Sequence, residues 1–324
     1  MFQVPTNSRN QVRYNRYTSD SPLVSEIGLG AWQLGVDSGW LSMSGQESAA
    51  IVHEALDQGI NFFDTAPNYG YGTSETRLGD ALKKTDRSRI VINTKFGRTD
   101  DGEINFSAEY IRTSLEGSLR RLQTDYVDSL IIHNPPFDHL DGNHNAHYET
   151  LERIMEEGKI RAYGASLDTN AEMQLFMNTT NGKVIEAFFN ILHQDAGKAF
   201  EAAKEKGLGI IVKVPLDSGW LTGKYNAESM FTDIRERWSK QDIETRARLV
   251  EEVRKLMQGG SDIGQAAIAF CLAYDAVSTV IPGNKTIAQL RSNLESIKLP
   301  LSGALVKDLE KFYRDEVAAL NLPW

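Results

Sequence analysis

Eight short apolar runs punctuate this chain, and each gives way to a longer stretch of helical period. The runs fall at 24–29 (VSEIGL), 60–65 (INFFDT), 90–96 (IVINTKF), 127–133 (VDSLIIH), 160–166 (IRAYGAS), 184–190 (VIEAFFN), 209–215 (GIIVKVP) and 278–282 (STVIP). Between them lie stretches such as 45–59 (GQESAAIVHEALDQG) and 107–123 (SAEYIRTSLEGSLRRLQ). In the second, Ser107 starts the pattern, Glu109 and Glu116 come before the late arginines, and that order suits a helix dipole. Strands separated by helices cannot pair as hairpins, so they predict βαβ units and a parallel sheet. Eight such units are the count of a (β/α)8 TIM barrel, an α/β fold with its active site at the C-terminal face of the strands. A doubly wound sheet is the rival, but it carries GxGxxG after its first strand, and GLGAWQLG lacks that spacing. No Pro/Ser-rich linker divides the chain. Residues 1–324 therefore read as a single domain, with residues 1–20 as a polar N-terminal extension.

Composition narrows the function. An apolar content of 41% and a charged content of 24% over 324 residues are ordinary for a globular protein with a substantial core. The net charge of −9 argues against nucleic acid or an anionic membrane as a partner. The single cysteine, Cys271, lies in the apolar run AAIAFCLAY, where a buried, inert thiol in a reducing compartment is expected. The N-terminus carries no apolar signal segment, and no apolar stretch approaches the ~20 residues that span a bilayer. A cytoplasmic location is the expectation.

The stretch 60–75, INFFDTAPNYGYGTSE, ends a strand on a carboxylate and follows it with a glycine-flanked tyrosine. In a barrel, residues at strand C-termini line the active site. Asp64 ends the second strand, Lys95 the third and His133 the fourth, while Tyr69 projects from the loop after the second. A free tyrosine, with a pKa of about 10, is a poor acid at neutral pH. An adjacent ammonium favours its phenolate, and a carboxylate fixes that ammonium in place. Together the four describe a tuned proton donor.

With these residues in view, the chain resembles the aldo-keto reductases over residues 13–296. The likeness rests on seven stretches in family order: VSEIGLGAWQLG, ALDQGINFFDTAPNYGYGTSETRLGDAL, VINTKFG, DYVDSLIIHNP, LERIMEEGKIRAYGASLDT, VPLDSGWLTGKY and IPGNKTIAQLRSNL. The resemblance implies that NADPH delivers a hydride to an aldehyde or ketone while Tyr69 protonates its oxygen. Lys95, held by Asp64, would then lower the tyrosine pKa, and His133 would orient the carbonyl.

The same resemblance implies the cofactor contacts. Ser166 matches the serine that bonds the nicotinamide carboxamide. Leu216, Ser218, Gly219 and Lys224 match the loop around the pyrophosphate, and Arg235 reaches the phosphates with Arg237 as a competitor. Gly283, Lys285, Gln289 and Asn293 match the segment at the adenosine end. A lysine at 285 suits a 2′-phosphate, hence NADPH over NADH. Three residues depart from the pattern: Leu167 where asparagine is common, Glu186 where glutamine contacts the carboxamide, and Lys213 where an aromatic stacks on the nicotinamide. Glu186 and Lys213, opposite in charge on neighbouring strands, are expected to form an ion pair there.

Other features have plainer readings. Trp32, Trp40, Trp220 and Trp238 lie near loops on the catalytic side, where they either shape an apolar substrate pocket or pack into the core. His139, His144 and His147 fit no helical ligand spacing and read as a solvated loop. Glu75 reads as a cap or anchor of the helix after Tyr69. The irregular stretch 216–241 is too long for a plain turn and reads as a functional loop. Two functional alternatives stay open beside carbonyl reduction. One is oxidation of an alcohol or sugar, and the other is a cofactor-binding sensor or regulatory subunit with little turnover. A metal-dependent hydrolase has too few ligands, since only Asp64 and His133 qualify.

Overall fold

The computed structural model describes residues 12–18, 21–36, 42–257 and 262–324. Among the described residues, eight parallel strands follow one another round a single sheet: β1 (Leu29–Gly30), β2 (Phe62–Asp64), β3 (Val91–Phe96), β4 (Ser129–Ile132), β5 (Tyr163–Leu167), β6 (Val184–Phe188), β7 (Gly209–Lys213) and β8 (Val277–Val280). The sheet closes on itself through parallel bridges from Ile27 to Val280 and from Gly30 to Gly283. Backbone bonds of 2.9 Å from Gly28 to Val280 and from Val280 to Glu26 complete the seam. Every residue of β3 to β8 is buried, the pattern of strands covered on both faces.

The helices start and stop where their sequences say. In α1 (Gly45–Asp57), Ser44 and Glu47 form a reciprocal capping box. In α3 (Ala108–Leu122), the Ser107 hydroxyl accepts from the Tyr110 N–H, and Gln123 ends the helix in a left-handed turn at φ 56°. Its buried stripe of Ile111, Leu115, Leu119 and Leu122 recurs every three to four residues, and packing each such side chain contributes about 1.5–3 kcal/mol. Around the barrel also stand α2 (Thr73–Leu82), α4 (His147–Glu156), α5 (Asn170–Thr179), α6 (Phe200–Glu205), α7 (Lys240–Leu256), α8 (Ile263–Leu272), α9 (Ile287–Glu295) and α10 (Gly303–Phe312). No helix among the described residues is long and apolar enough to cross a membrane.

The first strand departs from its expected bounds. The run 24–29 divides: Val24–Ser25 pairs antiparallel with Tyr14–Asn15, the chain then bridges Val280 at Ile27, and only from Leu29 does it pair with β2. Asn61 makes the division, because its side chain accepts from the Ser25 N–H at 2.7 Å and donates to the Leu23 carbonyl at 2.8 Å. Part of the stretch read as an extension is thereby built into the fold. Tyr17, 2% exposed, packs edge-on against Phe62 within an apolar interior layer with Val91, Ile131, Val184 and Ile211.

Candidate active site

Above the apolar layer the barrel interior turns polar, and strand register decides which polar groups meet. Asp64, Asn93 and Ser129 are register partners across β2, β3 and β4, so their side chains form one row. Asn93 donates to Asp64 Oδ1 at 2.7 Å and accepts from Ser129 Oγ at 2.6 Å. The Tyr17 hydroxyl, 2.6 Å from Ser129 Oγ, ties the row to the apolar layer. Two residues beyond Asn93 on the same strand face, Lys95 rises over this row. Its Nζ donates to both Asp64 oxygens at 2.7 and 2.8 Å and to the Thr65 carbonyl at 3.1 Å. Both side chains of the pair are buried, a geometry that compensates two charges removed from water.

Tyr69 reaches the same mouth from the loop after β2, and the glycines beside it explain how. Gly70 adopts φ 62°, and a Cβ there would sit 2.0 Å from the Gly35 carbonyl oxygen. Only glycine permits the loops after β1 and β2 to touch backbone to backbone. Ser74 then accepts the chain back, its N–H bonding the Tyr69 carbonyl at 3.1 Å and its hydroxyl the Ala31 carbonyl at 2.7 Å. Glu75 proves an anchor and not a cap: buried, it accepts from Thr94 Oγ1 at 2.6 Å and pairs with Arg121 at 2.7 Å. So held, the Tyr69 ring stands edge-on to His133 at 5.7 Å, with Lys95 Nζ 5.1 Å from its centroid.

These groups perturb one another strongly. Burial, then the nearby Glu186 carboxylate, pushes Asp64 up to about 7 against the pull of Lys95. Burial works to lower Lys95, but Asp64 and Glu186 outweigh it and hold the ammonium well above its ordinary value. Burial lowers His133 well below the ordinary imidazole range, and Lys95, Lys213 and Arg98 add to that, so its ring is neutral. Tyr69 differs from expectation in sign. Lys95 does favour its phenolate, but burial dominates, and Asp64 and Glu186 oppose the lysine, so the phenol lies above its ordinary value.

On the far side of the mouth the expected ion pair between Glu186 and Lys213 is replaced by a chain. Among the described residues, Glu186 Oε2 lies 3.2 Å from Lys95 Nζ, and Lys213 Nζ lies 2.8 Å from Asp168 Oδ1. Ser166 links the two halves, donating to Glu186 Oε1 at 3.2 Å and accepting from Lys213 at 2.9 Å. Lys213 also donates to Asn134 Oδ1 at 2.7 Å. The reason is register: Ser166 and Glu186 are partners across β5 and β6, while Lys213 pairs with Phe188, two residues further along β6.

The loop after β7 bends through Asp217, Ser218 and Gly219 at φ 45°, 54° and 98°, with the Leu216 carbonyl accepting from the Gly219 and Leu221 N–H groups. Buried Arg246 clamps it, donating to Asp217 Oδ2 at 3.1 Å, with His193 3.4 Å from the other oxygen. A Cβ on Gly219 would meet Tyr225 at 3.1 Å and Lys224 at 3.4 Å. Arg235 stands against Tyr225 and pairs with Asp233. The Asp217, Gly219 and Leu221 N–H groups of this turn bond backbone carbonyls, so the positive charge that would suit a dinucleotide phosphate comes from Lys224 and Arg235 beside it. Within 283–293, Gln289 accepts from the Lys285 N–H at 2.7 Å and Asn293 donates to Asn284 at 2.8 Å, so both side chains shape the segment itself. The close approach at Gly283 is to Gln33, whose amide nitrogen lies 2.1 Å from where a Cβ would stand.

Two of the four tryptophans are not mouth residues. Trp220 and Trp238 are 0% and 5% exposed and pack with Tyr225 and Phe231 in one aromatic cluster. Trp32 is half-buried in the turn Trp32–Gly35, and Trp40 lies outside the described residues. The C-terminal Trp324 supplies the indole instead, 5.0 Å from Phe188 and 6.0 Å from Lys213 Nζ. It helps line a cavity of about 370 Å³ with Asp168, Phe188, Leu192, Tyr313 and Leu322. Sequence reasoning missed Asn93, Ser129 and Asp168. Asn93 carried a signal, since it shares strand parity with Lys95 in an otherwise apolar run.

Comparison with known proteins agrees with this geometry. The family model described as the aldo/keto reductase family matches residues 26–314. L-galactose dehydrogenase of Arabidopsis thaliana is 31% identical over 284 residues, covering 85% of this chain and 84% of that protein. The NADH-specific methylglyoxal reductase of Escherichia coli (strain K12) is 28% identical over 309 residues, covering 89% and 94%. Among solved structures, an aldo-keto reductase from Bacillus halodurans in its holo form superposes with a TM-score of 0.77 at 28% identity, covering 92% of this chain and 96% of that one. The barrel, its polar mouth and these likenesses agree: the chain belongs to the aldo/keto reductase family of NAD(P)H-dependent oxidoreductases.

Proposed function

We propose that this protein reduces an aldehyde or ketone to an alcohol with Tyr69 as the proton donor, and that it prefers NADPH. The observation that carries the reading is the cluster of Asp64, Lys95, Tyr69 and His133 at one barrel mouth. When bound, the nicotinamide dinucleotide supplies the hydride. As negative charge gathers on the carbonyl oxygen, Tyr69 Oη gives it a proton, and the Lys95 ammonium steadies the phenolate left behind. Asp64 fixes that ammonium by two hydrogen bonds. The neutral His133 ring offers a hydrogen bond that orients the carbonyl. Ser166, Glu186 and Lys213 would hold the nicotinamide end. Leu216, Ser218, Gly219, Lys224 and Arg235 would hold the phosphates, and Gly283, Lys285, Gln289 and Asn293 the adenosine end. Lys285 supports the 2′-phosphate of NADPH, although a relative named as NADH-specific makes the choice one for direct titration. Trp32 and Trp324 border the substrate. A reducing, cytoplasmic setting suits the buried thiol of Cys271.

A second reading, oxidation of an alcohol or sugar, is favoured by the likeness to a protein named L-galactose dehydrogenase, and the same groups serve it in reverse. The test is fluorescence titration with NADPH and NADH, followed by single turnover with an aromatic aldehyde. We expect tighter NADPH binding, and turnover that falls at least ~10²-fold in Tyr69→Phe with binding retained. Equal turnover in Tyr69→Phe would remove the proton-donor assignment, and tighter NADH binding the cofactor preference.

A further inference from the structure

We propose that Glu186 is a positioning residue for Lys95, a second carboxylate that shares its ammonium with Asp64 and so sets the pH at which Tyr69 surrenders its proton. The proposal rests on Tyr69 being the proton donor. The geometry is specific. Lys95 Nζ is completely buried, with Asp64 at 2.7 Å on one side and Glu186 at 3.2 Å on the other, and both acids are only 4% exposed. A lysine facing one carboxylate forms a neutral pair, but a lysine between two leaves one net negative charge beside the phenol. That charge opposes formation of phenolate.

The other groups around the phenol do not cancel it. His133, from the end of β4, is held neutral. Lys213, from β7, is committed to Asp168, Asn134 and Ser166. Arg98, after β3, donates to the carbonyls of His133 and Asn134. Tyr17, below, is itself an uncharged phenol whose deprotonation burial opposes. Ser166 fixes the Glu186 carboxylate at 3.2 Å through Oε1, which leaves Oε2 turned to the lysine. Sequence pattern gave Glu186 to the cofactor; the contacts give it to the catalytic lysine as well.

The test compares Glu186→Gln, which keeps the shape and removes the charge, with Glu186→Asp, which keeps the charge. The first readout is the pH dependence of kcat for carbonyl reduction at saturating cofactor. The second is tyrosinate ultraviolet absorbance of each protein against its own Tyr69→Phe counterpart, which needs no turnover. In Glu186→Gln both the alkaline fall in kcat and the Tyr69 midpoint should move down by about one pH unit, with Glu186→Asp close to wild type. Coincidence of the Glu186→Gln curves with wild type would overturn the proposal. So would an equal shift in Glu186→Asp, since packing and not charge would then be responsible. If the tyrosinate midpoint moves but wild type turns over no carbonyl, the charge assignment stands and the reductase reading falls. If wild type turns over through Tyr69 and neither curve moves, the reverse holds.

Discussion

Gly35 and Gly70 meet backbone to backbone, so closely that a Cβ on Gly70 would lie 2.0 Å from the Gly35 oxygen. This contact, between two loops that each leave the barrel mouth, fixes where Tyr69 stands. Gly70→Ala introduces both a clash and a side chain at φ 62°, where L residues are strained. We expect a loss of about 1–3 kcal/mol in stability and a fall in kcat larger than that loss of fold explains, because Tyr69 is displaced. Urea unfolding beside turnover of the folded fraction checks it.

Asp64 gives a pH signature. Its carboxyl is raised from an ordinary 3.8 to about 7, by burial first and by Glu186 second. A carboxyl raised in the folded state contributes stability below its ordinary value, and that contribution is lost as pH rises through about 7. Asp64→Asn removes the titration. Between about pH 5 and about pH 8, wild type should therefore lose melting temperature relative to Asp64→Asn. A difference that stays flat across this range would mean that Lys95 keeps Asp64 ionised throughout.

The interior row offers a separate test. Asn93→Ala strips Asp64 Oδ1 of one donor and leaves the Ser129 hydroxyl with the Tyr17 hydroxyl in place of the Asn93 acceptor. Removing a partner from buried polar groups costs about 1–3 kcal/mol, so the unfolding midpoint should drop accordingly. Asn93→Asp restores an acceptor for Ser129 but sets a third acid near Lys95. It should recover little activity, measured as kcat at saturating cofactor.

Trp220 and Trp324 should separate stability from substrate recognition. Trp220 is fully buried in the aromatic cluster, and its replacement by Ala should cost about 3–5 kcal/mol. Trp324 is 43% exposed and lines the mouth cavity, so Trp324→Ala should leave the melting temperature nearly unchanged while altering KM among carbonyl substrates of different size. A large stability loss in Trp324→Ala would instead make the tail a structural strap, held by Arg246 on the Pro323 carbonyl.

Local sequence determined a good deal here. The alternation of apolar runs and helical stretches specified the eight βα units, because period and turn chemistry act over a few residues. It also brought Asp64, Lys95 and His133 to strand ends and put Tyr69 in a loop that glycine alone could close. The rest was decided by tertiary structure, and for one physical reason: strand register and side-chain reach join residues far apart in the chain. Register set Asp64, Asn93 and Ser129 in one row and offset Lys213 from Glu186, so that Glu186 found Lys95 instead. Asn61 divided a run that looked like one strand. Packing drew Trp220 and Trp238 inward and left the mouth to Trp324, which meets Phe188 and Lys213 more than a hundred positions away. Hydrophobicity says that a tryptophan seeks cover, but only the assembled barrel says which cover it finds.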